Sequence, residues 1–362
     1  MSPLMKKVEN AGIKGIKQKR NPAKVKVDDF FHESDLLREA FSRLISNEDP
    51  DRVVIIPSVS YGLANVCRNL PFSDGEILVV EHQFPSNIYP WQALESNGFK
   101  LKYISAPDSD RRGASWNEEI LRSIGEQTRV VAIGHIHWSD GTLFDLVAIR
   151  KRLDEVGGLL IIDGTQSVGA LPFDAKEIRP DALICAGYKW LLGPYSIGLA
   201  YYGPAFDQGN PIEENWINRL HSENFSGLVD YQELYRPSAL RYEVGEHSNF
   251  ILVPMLLKGI NQILKWTPEK IQDYTKVLMQ ETIGELNDLG YQIEEETYRA
   301  SHLFGVRLAP NVNGEKLNDA FKRYRVSVSH RGDAIRISPH VYNDEMDVRK
   351  LLKAMKEPIF AS

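Results

Sequence analysis

The sequence predicts an α/β fold with two domains. A large domain holds a mainly parallel seven-stranded sheet covered by helices, and a smaller α+β domain follows it. Three observations support this. The chain has 362 residues, 43% of them hydrophobic, which is enough for two cores. From about residue 50, short apolar runs alternate with amphipathic stretches, and this rhythm changes near Pro254. The predicted divisions are an N-terminal arm at 1–28, a large domain at 29–254 and a small domain at 255–362.

The runs that we interpret as strands are short, apolar and bounded by turn residues. In the large domain they are 52–57, 76–80, 100–105, 129–136, 158–163, 182–186 and 197–203. Between them lie helical patterns such as 146–157, where apolar residues recur at helical spacing. In the small domain a long helix begins near Pro254, and the runs 302–309 and 334–338 predict isolated strands.

Composition excludes several classes of partner. A formal charge of −6 and a pI near 5.9 give no reason to expect nucleic-acid binding. No run of 18 apolar residues appears and the first residues lack the apolar core of a signal peptide, so we expect no membrane association. Cys67 and Cys185 lie in apolar segments, which favours buried free thiols in a reducing compartment. The expectation is a cytoplasmic protein with a small-molecule partner and no metal.

Two charged residues stand at the ends of predicted strands. Asp163 ends the run 158–163, and Lys189 follows the run 182–186, twenty-six residues later. Ligands of open parallel sheets bind beyond the carboxyl ends of the strands. Each residue also has a structural reading, Asp163 as the cap of a turn and Lys189 as half of an ion pair.

Two further features lie at the same predicted edge. The stretch "SVS" precedes a helix that starts near Ser60, where backbone N–H groups and hydroxyls favour phosphate, or simply cap the helix. Phe84 follows the second strand and offers a flat ring, or belongs to the core. Phosphate site, flat ring, carboxylate and lysine amine together match pyridoxal 5'-phosphate (PLP). Lys189 would form the Schiff base and carry the proton, and Asp163 would keep the ring nitrogen protonated.

The string "IIDGTQSVGALPFD" and the later "PDALICAGYKWLLGPYSIG" resemble the class V aminotransferase family of fold-type I PLP-dependent enzymes. That family includes cysteine desulfurases, kynureninase and isopenicillin N epimerase. The resemblance runs from "FSRLI" to "IRISPHVYND" and implies a catalytic pair of Lys189 and Asp163. It implies the following cofactor-binding residues: Val59, Ser60, Phe84, Asn87, Asp163, Gln166, Tyr188, Lys189, Ser248 and Asn249.

The resemblance also implies a homodimer and a substrate site. Ser248 and Asn249, in "EVGEHSNF", match the segment that reaches the phosphate of the neighbouring subunit, so the active sites would lie at the dimer interface. Arg336, in "IRISPHVYND", matches the arginine that binds the carboxylate of an amino-acid substrate. Arg331 is the rival for this role. Because residues alternate along a strand, Arg336 should face away from Ile335 and Ile337.

Departures from the family pattern bear on the reaction. Cysteine desulfurases that form a persulfide carry a loop cysteine where this chain has Phe321, so a relay through an enzyme thiol is not expected. Kynureninases have histidine at the position of Gln166. Trp138 lies near the sequence position where relatives have an asparagine or a tyrosine, so we expect the substrate pocket to differ from theirs. We expect an aminotransferase, with a C–S β-lyase, an epimerase or a kynureninase-like hydrolase as alternatives.

Other classes of function fit the sequence less well. His135 and His137 could share one face of a strand and bind a metal, but no third ligand stands at a motif spacing. Neither a Gly-x-Gly-x-x-Gly nor a Walker motif occurs, which argues against a nucleotide-binding enzyme. A PLP-fold protein that only binds or senses its ligand is the remaining alternative.

Overall fold

The computed structural model describes residues 1–109, 111–309, 312–331 and 334–360. The chain forms two compact units. The first unit contains Met1–Ser105, Ile120–His135 and Asp145–Trp266, and the second contains Ala106–Glu119, Ile136–Phe144 and Thr267–Ser362. The division predicted at 254–255 stays a prediction, although that point falls inside a helix of the first unit.

The sheet of the first unit has seven strands in the order β1-β7-β6-β5-β4-β2-β3. Their bounds are β1 Val53–Ile56, β2 Gly75–Val80, β3 Phe99–Ile104, β4 Thr128–Gly134, β5 Leu159–Asp163, β6 Ala182–Ala186 and β7 Gly198–Tyr202. Strands β3, β2, β4, β5 and β6 pair in parallel, whereas β7 is antiparallel to both β6 and β1. The predicted mainly parallel, seven-stranded sheet is confirmed.

Helices separate most of these strands, as the apolar spacing predicts. The α-helices of the described residues are α1 Lys6–Gln18, α2 His32–Leu44, α3 Val59–Arg68, α4 Tyr89–Gln92, α5 Arg112–Ser123, α6 Leu146–Val156, α7 Ala175–Ile178, α8 Leu252–Trp266, α9 Pro268–Asp288, α10 Gly314–Tyr324 and α11 Glu345–Phe360. Helix α6 shows how local sequence signals determine where a helix begins and ends. The Asp145 side chain accepts a hydrogen bond from Ala148 N at its start, and Gly157 adopts a left-handed conformation at its end.

The directions of the strands bring distant segments to one edge of the sheet. Parallel pairing places the carboxyl ends of β2, β4, β5 and β6 at that edge. Because β7 is antiparallel to β6 and β1 is antiparallel to β7, β1 also ends there. The segments that follow these five strands therefore converge, as ligand-binding segments of open α/β sheets do.

The sheet is buried on its faces by apolar side chains. In β6 all five residues are buried, and in β1 all four are. One core cluster joins β-strand residues such as Val54, Val79 and Ile184 to Trp91 of α4 and Leu63 of α3. Burial of strand residues on both faces gives the near-continuous apolar runs that made these strands recognisable in the sequence.

The second unit has its own antiparallel sheet and core. Its strands are β8 Gln292–Ile293, β9 Phe304–Arg307, β10 Ser329–Arg331 and β11 Ala334–Ile337, in the order β10-β11-β9-β8. The core cluster joins β9 and β11 to side chains of α9, α10 and α11, among them Met279, Leu317 and Leu351. Strands β9 and β11 were predicted. The two- and three-residue strands β8 and β10 were not, because so few residues show no periodicity.

None of the helices that the structure describes is both long enough and apolar enough to cross a membrane.

Candidate active site

Asp163 is the last residue of β5 and is half-buried. Its Oδ1 accepts a hydrogen bond from Thr165 N at 3.0 Å. Burial raises the pKa of Asp163, while hydrogen bonds from Thr165 and the positive charge of Lys189 act in the opposite direction. The Asp163 carboxylate is thus held beside the cationic group of Lys189 although burial disfavours its charge. A carboxylate that is stabilised by a nearby cation is suited to pair with a protonated ring nitrogen.

Lys189 follows β6, the neighbour of β5, and lies beside two aromatic rings. Its Nζ is 5.8 Å from the ring centroid of Phe84 and 5.8 Å from that of Tyr188. Phe84 is 38% exposed, which leaves part of the residue accessible to solvent. Tyr188 also packs against Tyr195, with centroids 4.6 Å apart. The structure therefore brings together four of the predicted residues, Asp163, Lys189, Phe84 and Tyr188.

The predicted phosphate site lies at the N-terminus of α3, after β1. The helix begins at Val59, one residue before the predicted start, and its cap is Ser58, whose Oγ accepts a hydrogen bond from Tyr61 N at 3.2 Å. The Ser58 and Ser60 hydroxyls are 3.0 Å apart, and both residues are exposed. An exposed helix N-terminus with two hydroxyls suits an anion.

Two buried amide side chains lie near these strand ends in the sequence. Gln166, in the segment after Asp163, is buried, and its Oε1 accepts a hydrogen bond from Trp190 Nε1 at 3.3 Å, which orients the amide. Asn87 is 1% exposed, and its Oδ1 accepts a longer bond from Trp91 Nε1 at 3.4 Å. Asn87 Nδ2 has no hydrogen-bond partner within the described residues. A buried donor without a partner is costly, so this amide fits a ligand acceptor.

Ser248 and Asn249 lie elsewhere in the first unit, just before α8. Asn249 Oδ1 accepts hydrogen bonds from Ile251 N and Leu252 N, at 3.1 and 2.9 Å. This segment follows Glu243, a fully buried carboxylate that accepts a bond from Ile55 N at 2.9 Å. The role predicted for Ser248 and Asn249, at the phosphate of a second subunit, stays a prediction.

Arg336 belongs to the second unit, on β11. Its neighbours Ile335 and Ile337 are 1% and 5% exposed in the core, so the predicted alternation is confirmed. Its Nη1 donates a hydrogen bond to the carbonyl oxygen of Trp138. Burial, and then the charge of Arg331, lower the pKa of Arg336 to about 10. The two residues predicted to form the substrate pocket, Arg336 and Trp138, are thus in direct contact.

Sequence reasoning missed Ser58 and Thr165. Either serine of "SVS" could cap a helix, so the sequence does not indicate Ser58. The cap is identified only by where the first turn of α3 begins. Thr165 holds two segments together: its N–H binds Asp163, and its Oγ1 accepts a bond from Ala186 N at 3.1 Å. The signal for Thr165 was its place in "DGTQ", directly after the strand-end carboxylate.

The two histidines of "HIH" do not share a strand, since β4 ends at Gly134. His135 packs against Phe173, with centroids 5.8 Å apart, and burial lowers its pKa to about 4. His137 Nδ1 lies 3.0 Å from Asp140 Oδ1. Among the residues that the structure describes, no three His, Cys, Asp or Glu side chains are grouped to hold a metal ion.

A family model described as Aminotransferase class-V matches residues 25–351. The chain belongs to this family. PLP is therefore the cofactor of this class V chain, which is a PLP-dependent enzyme. The described residues of the first unit fit PLP: a lysine amine, a half-buried carboxylate, a partly exposed aromatic ring, a hydroxyl-rich helix N-terminus and a buried amide whose nitrogen has no partner among these residues.

Individual relatives and solved structures agree with this family and fold. An uncharacterized aminotransferase, YcbU, of Bacillus subtilis (strain 168) is 26% identical over 318 residues, which cover 87% of this class V chain and 81% of that protein. The isopenicillin N epimerase of Streptomyces clavuligerus is 22% identical over 343 residues, 88% of this chain and 82% of that protein. The solved complex of the cystine C-S lyase C-DES with cysteine persulfide has a TM-score of 0.84 at 19% identity, and covers 97% of this chain and 94% of that one. That last likeness shows the fold alone.

Proposed function

We propose that this enzyme is an aminotransferase that acts on an amino acid. The observation that carries the proposal is the pair of Asp163 and Lys189 at the ends of neighbouring parallel strands, beside the exposed ring of Phe84. The likeness to YcbU, which is named an uncharacterized aminotransferase and matches 87% of the chain, is the reason that transamination is proposed first.

Each part of the site has a distinct task in this proposal. When bound, PLP withdraws electrons from the α carbon of the substrate. Asp163 would keep the ring nitrogen of bound PLP protonated, and Phe84 would contact the cofactor ring. The α3 N-terminus and the Ser58 and Ser60 hydroxyls hold the phosphate. The Lys189 amine would accept the α proton of the substrate and later donate a proton, acting first as a base and then as an acid.

A second candidate is a C–S β-lyase, in which Lys189 takes the same proton and the substrate loses a sulfur group. The chain has only two cysteines, Cys67 and Cys185, so no cysteine occurs in the last 177 residues, where persulfide-forming relatives carry theirs. Cys185 is buried, and burial raises its pKa well above the ordinary value, which suppresses the reactive thiolate. A lyase on this chain would therefore release sulfur without an enzyme thiol. The structural likeness to a cystine C-S lyase is consistent with such chemistry.

Assembly forms part of the proposal. We propose a homodimer with active sites at the interface, in which Ser248 and Asn249 contact the phosphate bound by the other subunit. Sedimentation of the PLP-loaded protein tests this, because a fully active monomer would contradict it.

The reaction is decided by the products that the PLP-loaded enzyme forms from a panel of L-amino acids, each with and without a 2-oxo acid acceptor. Transamination should give one oxo acid from the donor and one amino acid from the acceptor in equal amounts, and only when the acceptor is present. Without an acceptor, release of pyruvate, ammonia and sulfide from cysteine, or of pyruvate, ammonia and cysteine persulfide from cystine, would select the lyase. Mass spectrometry of the mixtures distinguishes these results, and retention of all substrates would contradict the proposed transamination.

Arg336→Lys should weaken binding of L-alanine strongly while leaving the absorbance of bound PLP unchanged. Lysine keeps the charge but cannot reproduce the two parallel N–H bonds that a guanidinium gives a carboxylate. Loss of a charge-assisted bond in a partly desolvated place costs about 2–5 kcal/mol, or roughly 30- to 4000-fold in affinity. The measurement is a titration of PLP absorbance with L-alanine.

The control for this titration is Arg323→Lys, a 63% exposed arginine of the second unit that pairs with Glu357. It should titrate as the wild type does. A large loss in Arg331→Lys with none in Arg336→Lys would move the carboxylate anchor to Arg331.

A further inference from the structure

Two arginines share one face of the antiparallel strand pair β10 and β11 in the second unit. Strands β10 and β11 pair with Ser329 opposite Arg336 and Arg331 opposite Ala334. Because paired residues point to the same side of an antiparallel ladder and side chains alternate along it, Arg331 and Arg336 lie on the same face, as diagonal neighbours. The core residue Ile335 occupies the other face.

A loop of the same unit contacts both arginines. This segment, residues 136–144, is called the Trp138 loop here. Glycines allow it to lie directly on β9: a Cβ at Gly305, the residue paired with Arg336, would come within 2.4 Å of the Asp140 carbonyl oxygen. Gly141, at φ +77°, would meet Phe304 Cα at 2.6 Å. Residues without a side chain at positions 141 and 305 allow the loop backbone to lie this close to β9.

Buried polar contacts hold the Trp138 loop in place. Asp140 Oδ1 accepts a hydrogen bond from Thr142 N at 3.1 Å and lies 3.0 Å from His137 Nδ1. Its other oxygen accepts a bond from Arg112 Nε at 3.2 Å. Leu143 N donates to Tyr298 O at 2.8 Å. The loop therefore presents Trp138 in a fixed position.

Trp138 brings the two guanidinium groups together. Arg336 donates to its carbonyl oxygen, and the guanidinium carbon of Arg331 lies 5.4 Å from the centroid of its ring. Both arginines are half-buried, and in residues 1–109, 111–309, 312–331 and 334–360 neither one pairs with a carboxylate. In the same described ranges, the Nε atoms of both arginines lack a hydrogen-bond partner. Two adjacent guanidinium groups in a partly desolvated environment destabilise the fold unless anions bind to them.

We propose that the substrate is an amino acid with a second anionic group, whose α-carboxylate binds Arg336 and whose side-chain anion binds Arg331. This inference rests on the proposed function, because it assigns Arg336 to the substrate. Arg331 is then a specificity-determining residue, and Trp138 sets the spacing between the two anions.

Anion binding can be measured apart from turnover by isothermal titration calorimetry of the PLP-loaded enzyme. Succinate and butyrate have the same number of carbons but differ by one carboxylate. Succinate should bind about 10- to 100-fold more tightly, the range expected for an added charge-assisted hydrogen bond. Arg331→Gln should remove this preference without changing butyrate binding, whereas Arg336→Gln should weaken both ligands. Arg331→Lys, which keeps the charge, should retain part of the preference.

The matched control is Arg349→Gln, which removes an arginine of the same unit that is 74% exposed and pairs with Glu345. It should keep the full preference for succinate. Inorganic phosphate is titrated separately. Tight binding of phosphate that depends on Arg331, together with no preference for succinate over butyrate, would mean that this arginine binds a free anion. That result would overturn the inference.

Equal affinities for succinate and butyrate, or a preference that survives Arg331→Gln, would also overturn it. Covalent attachment of PLP to Lys189 is measured on the same preparations by mass spectrometry. If PLP attaches and the preference is absent, the inference fails and the proposed function stands. If PLP never attaches, the proposed function fails, and the inference fails with it.

Discussion

Replacing Lys189 by alanine should abolish the covalent attachment of PLP and lower turnover by roughly 10²- to 10⁴-fold, the usual contribution of a positioned proton-transfer group. The position of the amine suits both proposed tasks. It follows β6, its charge acts on Asp163 at the end of β5, and its Nζ lies 5.8 Å from the exposed ring of Phe84. Alanine removes the amine without adding bulk, so PLP itself should still bind.

Attachment is checked by borohydride reduction, proteolysis and mass spectrometry of the peptide that contains residue 189. The control is Lys100→Ala, which removes a 76% exposed lysine from β3 and should leave attachment and turnover unchanged. A pyridoxyl group found on another lysine of the wild type would remove Lys189 from this role.

Replacing Asp163 by asparagine should leave PLP bound but slow exchange of the substrate α-hydrogen by roughly 30- to 4000-fold. The asparagine oxygen can still accept the bond from Thr165 N, so the local structure should persist. The negative charge is lost, however, and with it the stabilisation of a protonated ring nitrogen, which makes the cofactor a weaker electron acceptor. Losing a buried, hydrogen-bonded charge pair costs about 2–5 kcal/mol.

The measurement is exchange of the α-hydrogen of L-alanine in deuterated water, followed by NMR. Asp181→Asn is a matched control, because Asp181 is a largely buried carboxylate whose pKa burial also raises. Asp181 precedes β6, so it lies at the end of the sheet opposite to Asp163. It pairs with Arg150 at 2.8 Å. This variant should lose stability but keep the exchange rate per folded molecule. An exchange rate in Asp163→Asn equal to that of the wild type would exclude the proposed role.

Much of the first unit could be predicted from the sequence because its strands are buried on both faces. Such strands appear as short apolar runs, and all seven were found within a few residues. The position of Asp163 and Lys189 at one edge followed from the same reading, since parallel strands end together. The order of the strands did not follow. Strand β7 lies between β1 and β6 and runs antiparallel to both, and no local pattern indicates the direction in which a buried strand pairs.

Short elements and caps lay beyond prediction for a different reason. Strand β8 has two residues and β10 has three, too few to show alternation. The cap of α3 is Ser58, although Ser60 is the same residue type two positions later, and the choice depends on where the first helical turn closes.

By itself, the sequence determined the fold class and the family, and it predicted the residues that we propose to serve PLP, because local runs of apolar residues and short motifs indicate each of these. Only the tertiary structure decided what surrounds Arg336. Its contact with the Trp138 carbonyl joins residues 198 positions apart. The approach of the Trp138 loop to β9 depends on Gly141 and Gly305, and the common face of Arg331 and Arg336 depends on the register of a three-residue strand. Contacts between backbones that are distant along the chain leave no periodic signal, so they become visible only when the segments are packed.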